Sequence, residues 1–208
     1  MTLTLEDEAY VVRVGGHVLM SSRMHGSEQQ MAALACAAAR ELRGARVLVG
    51  GLGLGFTLRA VLELLAADAE IVVCELVDAI VAWNRGPLSH CTGDALADPR
   101  VRVHHGDFVD YVSSGHGPFH AILVDIDNGP EALTLQTNSR LYGDEGLRAL
   151  HHALVPGGIV VIWSAFASPL FEKRMRRAGF DCAAHAVHAR GPIVKKGGIH
   201  TLFVARAK

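Results

Sequence analysis

The sequence predicts an α/β protein whose core is a doubly wound, mostly parallel sheet of seven strands. Three observations lead to this prediction. Short apolar, β-branched runs alternate with amphipathic segments, a glycine-rich turn follows the first central run, and the last two strand-like runs have no helix between them. Alternating strands and helices build βαβ units with parallel strands. Two strands joined only by a loop pair antiparallel, so a C-terminal antiparallel hairpin should close the sheet.

The N-terminal segment is predicted to be a short β-hairpin that precedes the sheet domain. The stretch "AYVVRVGGHVLMSS" places apolar runs on both sides of Gly15 and Gly16, which is typical of a hairpin with a glycine turn. A helix is then predicted from Ser27, an N-cap residue type, to Gly44, a C-cap residue type, because the segment between them is rich in alanine. We therefore divide the chain into 1–26, the hairpin extension, and 27–208, the sheet domain.

The alternation then assigns the elements of the sheet domain in order. Strands are predicted at 47–50, 71–74, 101–104, 120–125 and 158–163, with the final pair inside "GFDCAAHAVHAR" and "GGIHTLFVARAK". Helices are predicted at 54–67, 78–85, 107–112, 144–153 and 169–178.

Composition restricts the expected cellular location and the expected binding partners of the protein. The chain has 208 residues, half of them apolar, with 20 basic and 21 acidic residues, so it offers no basic face for nucleic acid. No apolar run reaches the ~18–20 residues of a membrane span, and the acidic N-terminus is unlike a secretory signal. Scattered cysteines without Cys-x-x-Cys favour reduced thiols, so we expect a cytoplasmic protein, with a homodimer left open. No metal site is predicted, because Cys182, His185 and His188 alternate across a strand.

The glycine turn indicates one side of a candidate site, because ligands of open α/β sheets bind beyond the carboxyl ends of the strands. Gly51, Gly53 and Gly55 follow the first central strand, where glycine permits a sharp turn and the close approach of a ligand. A dinucleotide fingerprint would need glycine or alanine where Phe56 stands, and a P-loop would need a following Gly-Lys-Ser/Thr. The turn therefore favours another nucleoside-type ligand, and a tight turn without a ligand is the alternative.

Acidic residues follow the next three strands of the predicted sheet. Glu75 can accept hydrogen bonds from both hydroxyls of a ribose, or it is an acid favoured by a helix N-terminus. Asp107 either caps a helix or receives the amino group of an adenine. Asp125 and Asp127 follow the fourth strand, on one side of the chain. Two carboxylates in one cleft need a cationic partner, so an amine ligand is expected there.

Taken together, these motifs resemble a known family. In order, "VLVGGLGLGFTLRAVL", "VCELVDAIV", "HGDFVDYV" and "ILVDIDNGPEAL" are similar to motifs of the spermidine synthase-like branch of the class I S-adenosylmethionine-dependent transferases. The resemblance implies a Rossmann-like class I methyltransferase fold. It also implies that S-adenosylmethionine, or its decarboxylated form, is the co-substrate. The nucleoside site it implies consists of Gly51, Gly53, Gly55, Glu75, Asp107 and Phe108.

The resemblance also implies an acceptor site around Asp125. This residue would hold the acceptor nitrogen and take its proton, with Asp127 as a second contact. The acceptor would be a small polar or amine-bearing molecule. Side chains expected to contact it, from the segments that do so in the relatives, are His25, Gln29, Asn138 and Tyr142. For Asn138 and Tyr142, packing is the alternative.

Leu54 departs from the family pattern. Aminopropyltransferases carry an aspartate at the matching loop position, where it holds the amine of decarboxylated S-adenosylmethionine. The segment "MHGSEQQM" also lacks a clear counterpart of the tyrosine and acid that help to hold the diamine. The sequence therefore favours an S-adenosylmethionine-dependent methyltransferase. The alternatives are a polyamine-making aminopropyltransferase that uses the decarboxylated donor, and a non-catalytic nucleoside-binding protein.

Overall fold

The structure is a computed structural model that describes residues 1–126, 129–130, 139–191 and 198–208. The strands are β1 (Thr2–Glu6), β2 (Ala9–Val14), β3 (His17–Ser21), β4 (Arg46–Gly50), β5 (Glu70–Glu75), β6 (Val101–His105), β7 (Phe119–Val124), β8 (Leu154–Ser164), β9 (Phe180–His188) and β10 (Ile199–Ala207). The α-helices are α1 (Gly26–Ala35), α2 (Phe56–Leu64), α3 (Asp78–Arg85), α4 (Ser89–Thr92), α5 (Phe108–Ser113), α6 (Ser139–Tyr142), α7 (Asp144–His152) and α8 (Pro169–Arg177). Short 3₁₀ helices lie at Ala39–Glu41 and Ala95–Ala97.

Seven strands form one sheet in the order β6-β5-β4-β7-β8-β10-β9. The first five strands in that order pair parallel, and β10 pairs antiparallel with both β8 and β9. The predicted doubly wound sheet and its C-terminal antiparallel hairpin are confirmed. The chain adds strands on one side of β4 and then returns to the other side with β7. This reversal creates a switch point at the carboxyl ends of β4 and β7, the usual position of a ligand site.

Apolar clusters cover both faces of the sheet. Val47 and Val49 of β4 belong to the cluster that includes side chains of α1, α2 and α3, whereas Leu48 belongs to the cluster on the side of α5, α7 and α8. Successive side chains of a strand point to opposite faces, so β4 is apolar on both. This explains why the central strands appear in the sequence as continuous apolar runs rather than as alternating ones.

The N-terminal extension is a three-stranded antiparallel sheet. The predicted hairpin is present as β2 and β3, joined by Gly15 and Gly16 with φ of 56° and 83°. An additional strand, β1, pairs with β2. Val12 of β2 packs with Leu54 of the glycine turn and with Leu88, so the extension covers one side of that turn.

The single helix predicted from Ser27 to Gly44 is wrong. Helix α1 ends at Ala35 and is followed by a 3₁₀ turn, and its N-cap is His25, which makes no side-chain capping bond. Cys36 and Ala39 are buried in the core, so tertiary packing overrides the helix propensity of the alanines. The first residue of the helix, Gly26, lies against another segment: a Cβ there would be 1.9 Å from the Gly191 nitrogen, so only glycine fits this close approach.

Candidate functional site

The three glycines of the turn all have positive φ, but they serve different purposes. A Cβ on Gly51 would lie 2.1 Å from the Asp125 carbonyl oxygen, and one on Gly55 would lie 2.5 Å from the Asn84 Oδ1. Within 4 Å, a Cβ on Gly53 would meet only the Met20 sulfur, at 3.2 Å. Gly51 and Gly55 therefore allow segments of the protein to pack closely. Gly53 is the one whose missing side chain leaves room for a ligand, and its contact with a nucleoside stays a prediction.

Glu75, at the end of β5, is 8% exposed, and the backbone already binds both of its carboxylate oxygens. Its Oε2 accepts a hydrogen bond from the Leu52 N–H at 2.9 Å, and its Oε1 accepts one from the Val77 N–H at 2.8 Å. Glu75 therefore fixes the glycine turn against β5. Each carboxylate oxygen can accept a further hydrogen bond, so the predicted contact with a ribose is compatible with this arrangement but untested.

Asp107 caps α5, as one of the two sequence alternatives has it. Its Oδ1 accepts a hydrogen bond from the Asp110 N–H at 2.9 Å. The neighbouring Phe108 is buried, and its ring lies so close to Gly50 that a Cβ there would be 2.6 Å from the ring. The Phe108 side chain thus belongs to the core, and a contact with adenine would have to come from its backbone. The adenine-binding role of both residues stays a prediction.

Asp125 directly follows β7 at the switch point. Its N–H donates to the Gly50 carbonyl at 2.8 Å, and its Oδ2 accepts a hydrogen bond of 2.9 Å from the Thr57 hydroxyl. Thr57 lies in the first turn of α2, so α2 positions this carboxylate directly. Burial raises the pKa of Asp125, and the hydrogen bond from Thr57 opposes that rise.

Glu28, which sequence reasoning missed, faces Asp125 from the first turn of α1. Burial of the half-buried Glu28 side chain, and then the charge of Asp125, raise its pKa to about 7, against a hydrogen bond from Ser27 that lowers it. We call Glu28 and Asp125 the acid pair. Gln29, predicted in this segment instead, is exposed, because it follows Glu28 on a different face of the helix. An acid in an otherwise alanine-rich helix was the available sequence signal.

The acid pair is an unfavourable arrangement without a ligand. Burial raises the pKa of both carboxyl groups, and the charge of Asp125 raises the pKa of Glu28 further, so the two do not both ionise easily. A bound ammonium group would favour ionisation of both. A carboxylate with a pKa near neutrality can also accept a proton from an amine at the working pH. The pair can therefore hold a cationic amine and deprotonate it.

Of the other predicted acceptor contacts, the structure describes His25 and Tyr142. His25 immediately precedes α1, and its ring stacks on Phe56 at 4.4 Å, between the starts of α1 and α2. Tyr142 is 5% exposed and packs edge-on against Phe171, as its packing alternative has it. Asp127 and Asn138 lie outside the described residues. The acceptor roles of these four residues stay predictions.

Leu54 is 6% exposed and packs against Val12 and Leu88 under the N-terminal sheet. Its side chain therefore belongs to an apolar contact between the extension and the glycine turn. The leucine at position 54 is therefore explained by packing against the N-terminal sheet.

The described residues were also compared with the features of membrane spans and of metal sites. None of their helices has the length and apolar character to cross a membrane. They also contain no group of three or more His, Cys, Asp or Glu side chains placed to hold a metal ion.

The sheet order, the glycine turn and the acids at successive strand ends define a protein of the Rossmann-like, class I methyltransferase fold. Solved structures agree. Spermidine synthase from Thermotoga maritima superimposes with a TM-score of 0.71 at 18% identity, covering 96% of this chain and 66% of that one. TrmN from Thermus thermophilus gives 0.60 at 20% identity, covering 87% and 48%. At such low identities, this likeness concerns the fold alone.

The chain belongs to the spermine/spermidine synthase domain family, whose pattern matches residues 24–179. Among curated relatives, a polyamine aminopropyltransferase of Leptospira biflexa is 34% identical over 116 residues, 55% of this chain and 38% of that protein. One of Mycobacterium tuberculosis is 32% identical over 155 residues, 70% of this chain and 29% of that protein. The chain thus spans well under half the length of these relatives.

The expectation of a methyltransferase is contradicted by these relatives, which are named polyamine aminopropyltransferases. That expectation depended on Leu54 in place of a loop acid. It also depended on the apparent lack of an N-terminal acid, whereas Glu28 provides an acid beside Asp125. The sequence could not show that Leu54 packs under the N-terminal sheet or that Glu28 faces Asp125, because both depend on how α1 and that sheet pack on the switch point.

Proposed function

We propose that this protein is an aminopropyltransferase. It would move the aminopropyl group of decarboxylated S-adenosylmethionine to a small primary amine and leave 5′-methylthioadenosine. The observation that carries the proposal is the acid pair, which lies at the switch point beside the glycine turn and suits a cationic amine. Membership of the spermine/spermidine synthase domain family supports the same reaction class.

The acid pair would act first on the acceptor. An amine is protonated at neutral pH and cannot attack until it has lost one proton. Glu28, with a pKa of about 7, is suited to take that proton, while Asp125, fixed by the Thr57 hydroxyl, holds the nitrogen. The neutral nitrogen then attacks the sulfonium-bound carbon in line. A carbon–nitrogen bond forms, the carbon–sulfur bond breaks, and its electron pair neutralises the sulfur.

The glycine turn would position the donor for this attack. The backbone of Gly51 lies against the carbonyl of Asp125, so the predicted nucleoside site and the acid pair share one edge of the sheet. Holding two reactants in this way supplies much of the rate acceleration of such transfers, since the sulfonium group is already activated. In this proposal Gly53, Glu75 and Asp107 bind the nucleoside and Glu28 and Asp125 bind the amine.

Product analysis tests the proposal. The protein is incubated with decarboxylated S-adenosylmethionine and a panel of primary diamines, and products are identified by mass spectrometry. We expect 5′-methylthioadenosine and an aminopropylated amine in equal amounts. A parallel incubation with S-adenosylmethionine should give no S-adenosylhomocysteine. Methylated amines in that incubation would overturn the proposal, as would tight nucleoside binding without turnover of either donor.

A pair of matched variants connects the reaction to the acid pair. Glu28→Gln keeps the shape of the side chain but removes the charge and the proton acceptor, so turnover should fall by about 10²-fold or more. Glu63→Gln makes the same change at an exposed acid on α2 that pairs with Arg59, and it should turn over normally. Equal activity of the two variants would rule out Glu28 as the base.

A further inference from the structure

A chain of hydrogen bonds leads from the acid pair to the C-terminal hairpin. The Ser27 hydroxyl donates to Glu28 Oε2 at 2.7 Å, and Nδ1 of His200 on β10 lies 3.1 Å from the Ser27 Oγ. Ser27 is 2% exposed, whereas His200 is only half-buried. A half-buried acid is thus joined, through one buried hydroxyl, to a half-buried titratable ring.

The surroundings of His200 favour a neutral ring that can gain a proton and lose it. Burial lowers the pKa of His200, and Trp163 of β8 packs edge-on against the ring at 4.6 Å. The neighbouring strand β9 places Val187 opposite His200, with His188 as the next residue. Among the described residues, Asp125 is the charged group that faces Glu28, and no described acid is paired with His200.

The same three side chains permit two arrangements of protons. When Glu28 is ionised, the Ser27 hydroxyl donates to it, and Ser27 Oγ accepts the Nδ1–H of His200. When Glu28 is protonated, its hydroxyl donates to Ser27, and Ser27 donates to the lone pair of Nδ1. A serine hydroxyl can donate and accept at once, and either nitrogen of a neutral histidine can carry the proton. Converting the second arrangement into the first moves one proton from Glu28 to His200.

We propose that Ser27 and His200 form a proton relay that carries the proton released at the acid pair to solvent and holds Glu28 toward Asp125. The source of that proton rests on the proposed function, but the relay itself does not. The substrate ammonium transfers its proton to Glu28. Glu28 passes a proton to Ser27 Oγ while the Ser27 hydroxyl proton moves to Nδ1 of His200. The resulting imidazolium loses the proton on Nε2 to water, which gives the first arrangement. The relay is reset for the next proton when exchange with water moves the His200 proton from Nδ1 to Nε2 and the Ser27 hydroxyl turns toward Nδ1.

The first test measures coupling between the two ends of the chain, without substrate and independently of activity. Carboxyl carbon signals of Glu28 and ring nitrogen signals of His200 are followed by NMR as the pH changes. Ser27→Ala should raise the titration midpoint of Glu28, because the ionised form loses a hydrogen bond. Glu28→Gln should lower the midpoint of His200, because a nearby negative charge disappears. Unchanged midpoints in both variants would overturn the relay.

The second test separates proton transfer from mere positioning. His200→Asn keeps an N–H donor near the place of Nδ1 but cannot accept and release a proton. Its single-turnover rate should fall by about tenfold in dilute buffer and recover as imidazole buffer is added, since an external base replaces the ring. The control, His185→Asn, changes an exposed ring on β9 and should show neither effect. A His200→Asn rate equal to wild type at every buffer concentration would reduce Ser27 and His200 to a structural link.

The two tests also distinguish failure of the relay from failure of the proposed function. If no donor and amine turn over with wild-type protein, the proposed function fails, and the NMR midpoints still decide whether the titrations of Glu28 and His200 are coupled. If turnover is normal but the midpoints are uncoupled, only the relay fails.

Discussion

The two halves of the candidate site treat their acids in opposite ways. On the side proposed to bind the donor, Glu75 receives hydrogen bonds from two backbone N–H groups, and Asp107 receives one as a helix cap. On the side proposed to bind the acceptor, Asp125 and Glu28 receive hydrogen bonds from side-chain hydroxyls. Burial raises the pKa of both, and the charge of Asp125 adds to the rise at Glu28.

This difference indicates how each half would use its binding energy. The donor side is organised before any ligand arrives, because its acids fix the glycine turn and the start of α5. The acceptor side holds charges in an unfavourable arrangement that a cationic amine would relieve. Perturbed carboxylates at the ligand edge of a sheet are typical of functional sites, whereas acids bound by backbone N–H groups also serve the fold.

The largest expected effect comes from Asp125→Asn. The variant removes the charge that holds the amine but keeps an oxygen for the Thr57 hydroxyl to bind. Turnover should fall by roughly 10²–10⁴-fold, while affinity for 5′-methylthioadenosine and the melting temperature stay near wild type. Kinetics, calorimetry and thermal unfolding measure these quantities, with Asp68→Asn as the exposed control. A loss of activity that only follows a loss of folded protein would make Asp125 a structural residue.

Alanine substitutions in the glycine turn should separate a packing role from a ligand role. Gly51→Ala places a Cβ against the Asp125 carbonyl, so it should destabilise the protein by about 3 kcal/mol or more. Gly53→Ala meets only the end of Met20 and should cost about 1–2 kcal/mol for its positive φ. Chemical denaturation measures both values. When 5′-methylthioadenosine is present at a concentration that saturates the wild-type protein, the folded Gly53→Ala variant should bind a smaller fraction of that ligand. Equal stabilities would mean that the turn is not held by close packing.

Glu75→Gln tests the donor side at a smaller cost. One end of the new amide would direct an N–H toward a backbone N–H, of either Leu52 or Val77, so the turn should loosen. Affinity for 5′-methylthioadenosine should fall by about 1.5–3 kcal/mol, the scale of a hydrogen bond to a charged group, and diamine binding should change little. Calorimetric titration with each ligand gives both numbers. Glu70→Gln, at the opposite end of β5, is the control, and an equal loss in that variant would contradict the assignment.

The smallest predicted effect is a gain of stability from Glu28→Gln. The folded protein keeps the Glu28 proton up to about pH 7, whereas the ordinary pKa of 4.5 applies after unfolding. The stability contributed by this raised pKa is therefore fully present below about pH 4.5 and is lost as the pH rises through about 7. At pH 8, without substrate, Glu28→Gln should be more stable than wild type by about 1–2 kcal/mol, and near pH 4.5 the two should agree. Urea unfolding at both pH values measures this. A variant less stable than wild type at pH 8 would show that the acid pair is not repulsive.

Local patterns predicted the elements that lie within a single stretch of chain. Helix α3 was predicted with its observed bounds, and β4 to β7 were placed within one or two residues, because buried parallel strands and amphipathic helices have distinct patterns. The same patterns failed for α1. Its alanines favour a helix to Gly44, but the burial of Cys36 and Ala39 ends it at Ala35.

The sequence by itself determined the sheet, its switch point and the positions of Gly51, Gly53, Glu75 and Asp125 at strand ends, because the end of each continuous apolar run marks where a strand stops. Only the tertiary structure decided what those residues contact. It placed Glu28 of α1 opposite Asp125, and it packed the side chain of Leu54 against the N-terminal sheet. It also joined Ser27 to His200 across 173 positions of chain. The physical reason is that charge coupling and burial depend on distances in space, and residues far apart in sequence become neighbours only when the elements pack.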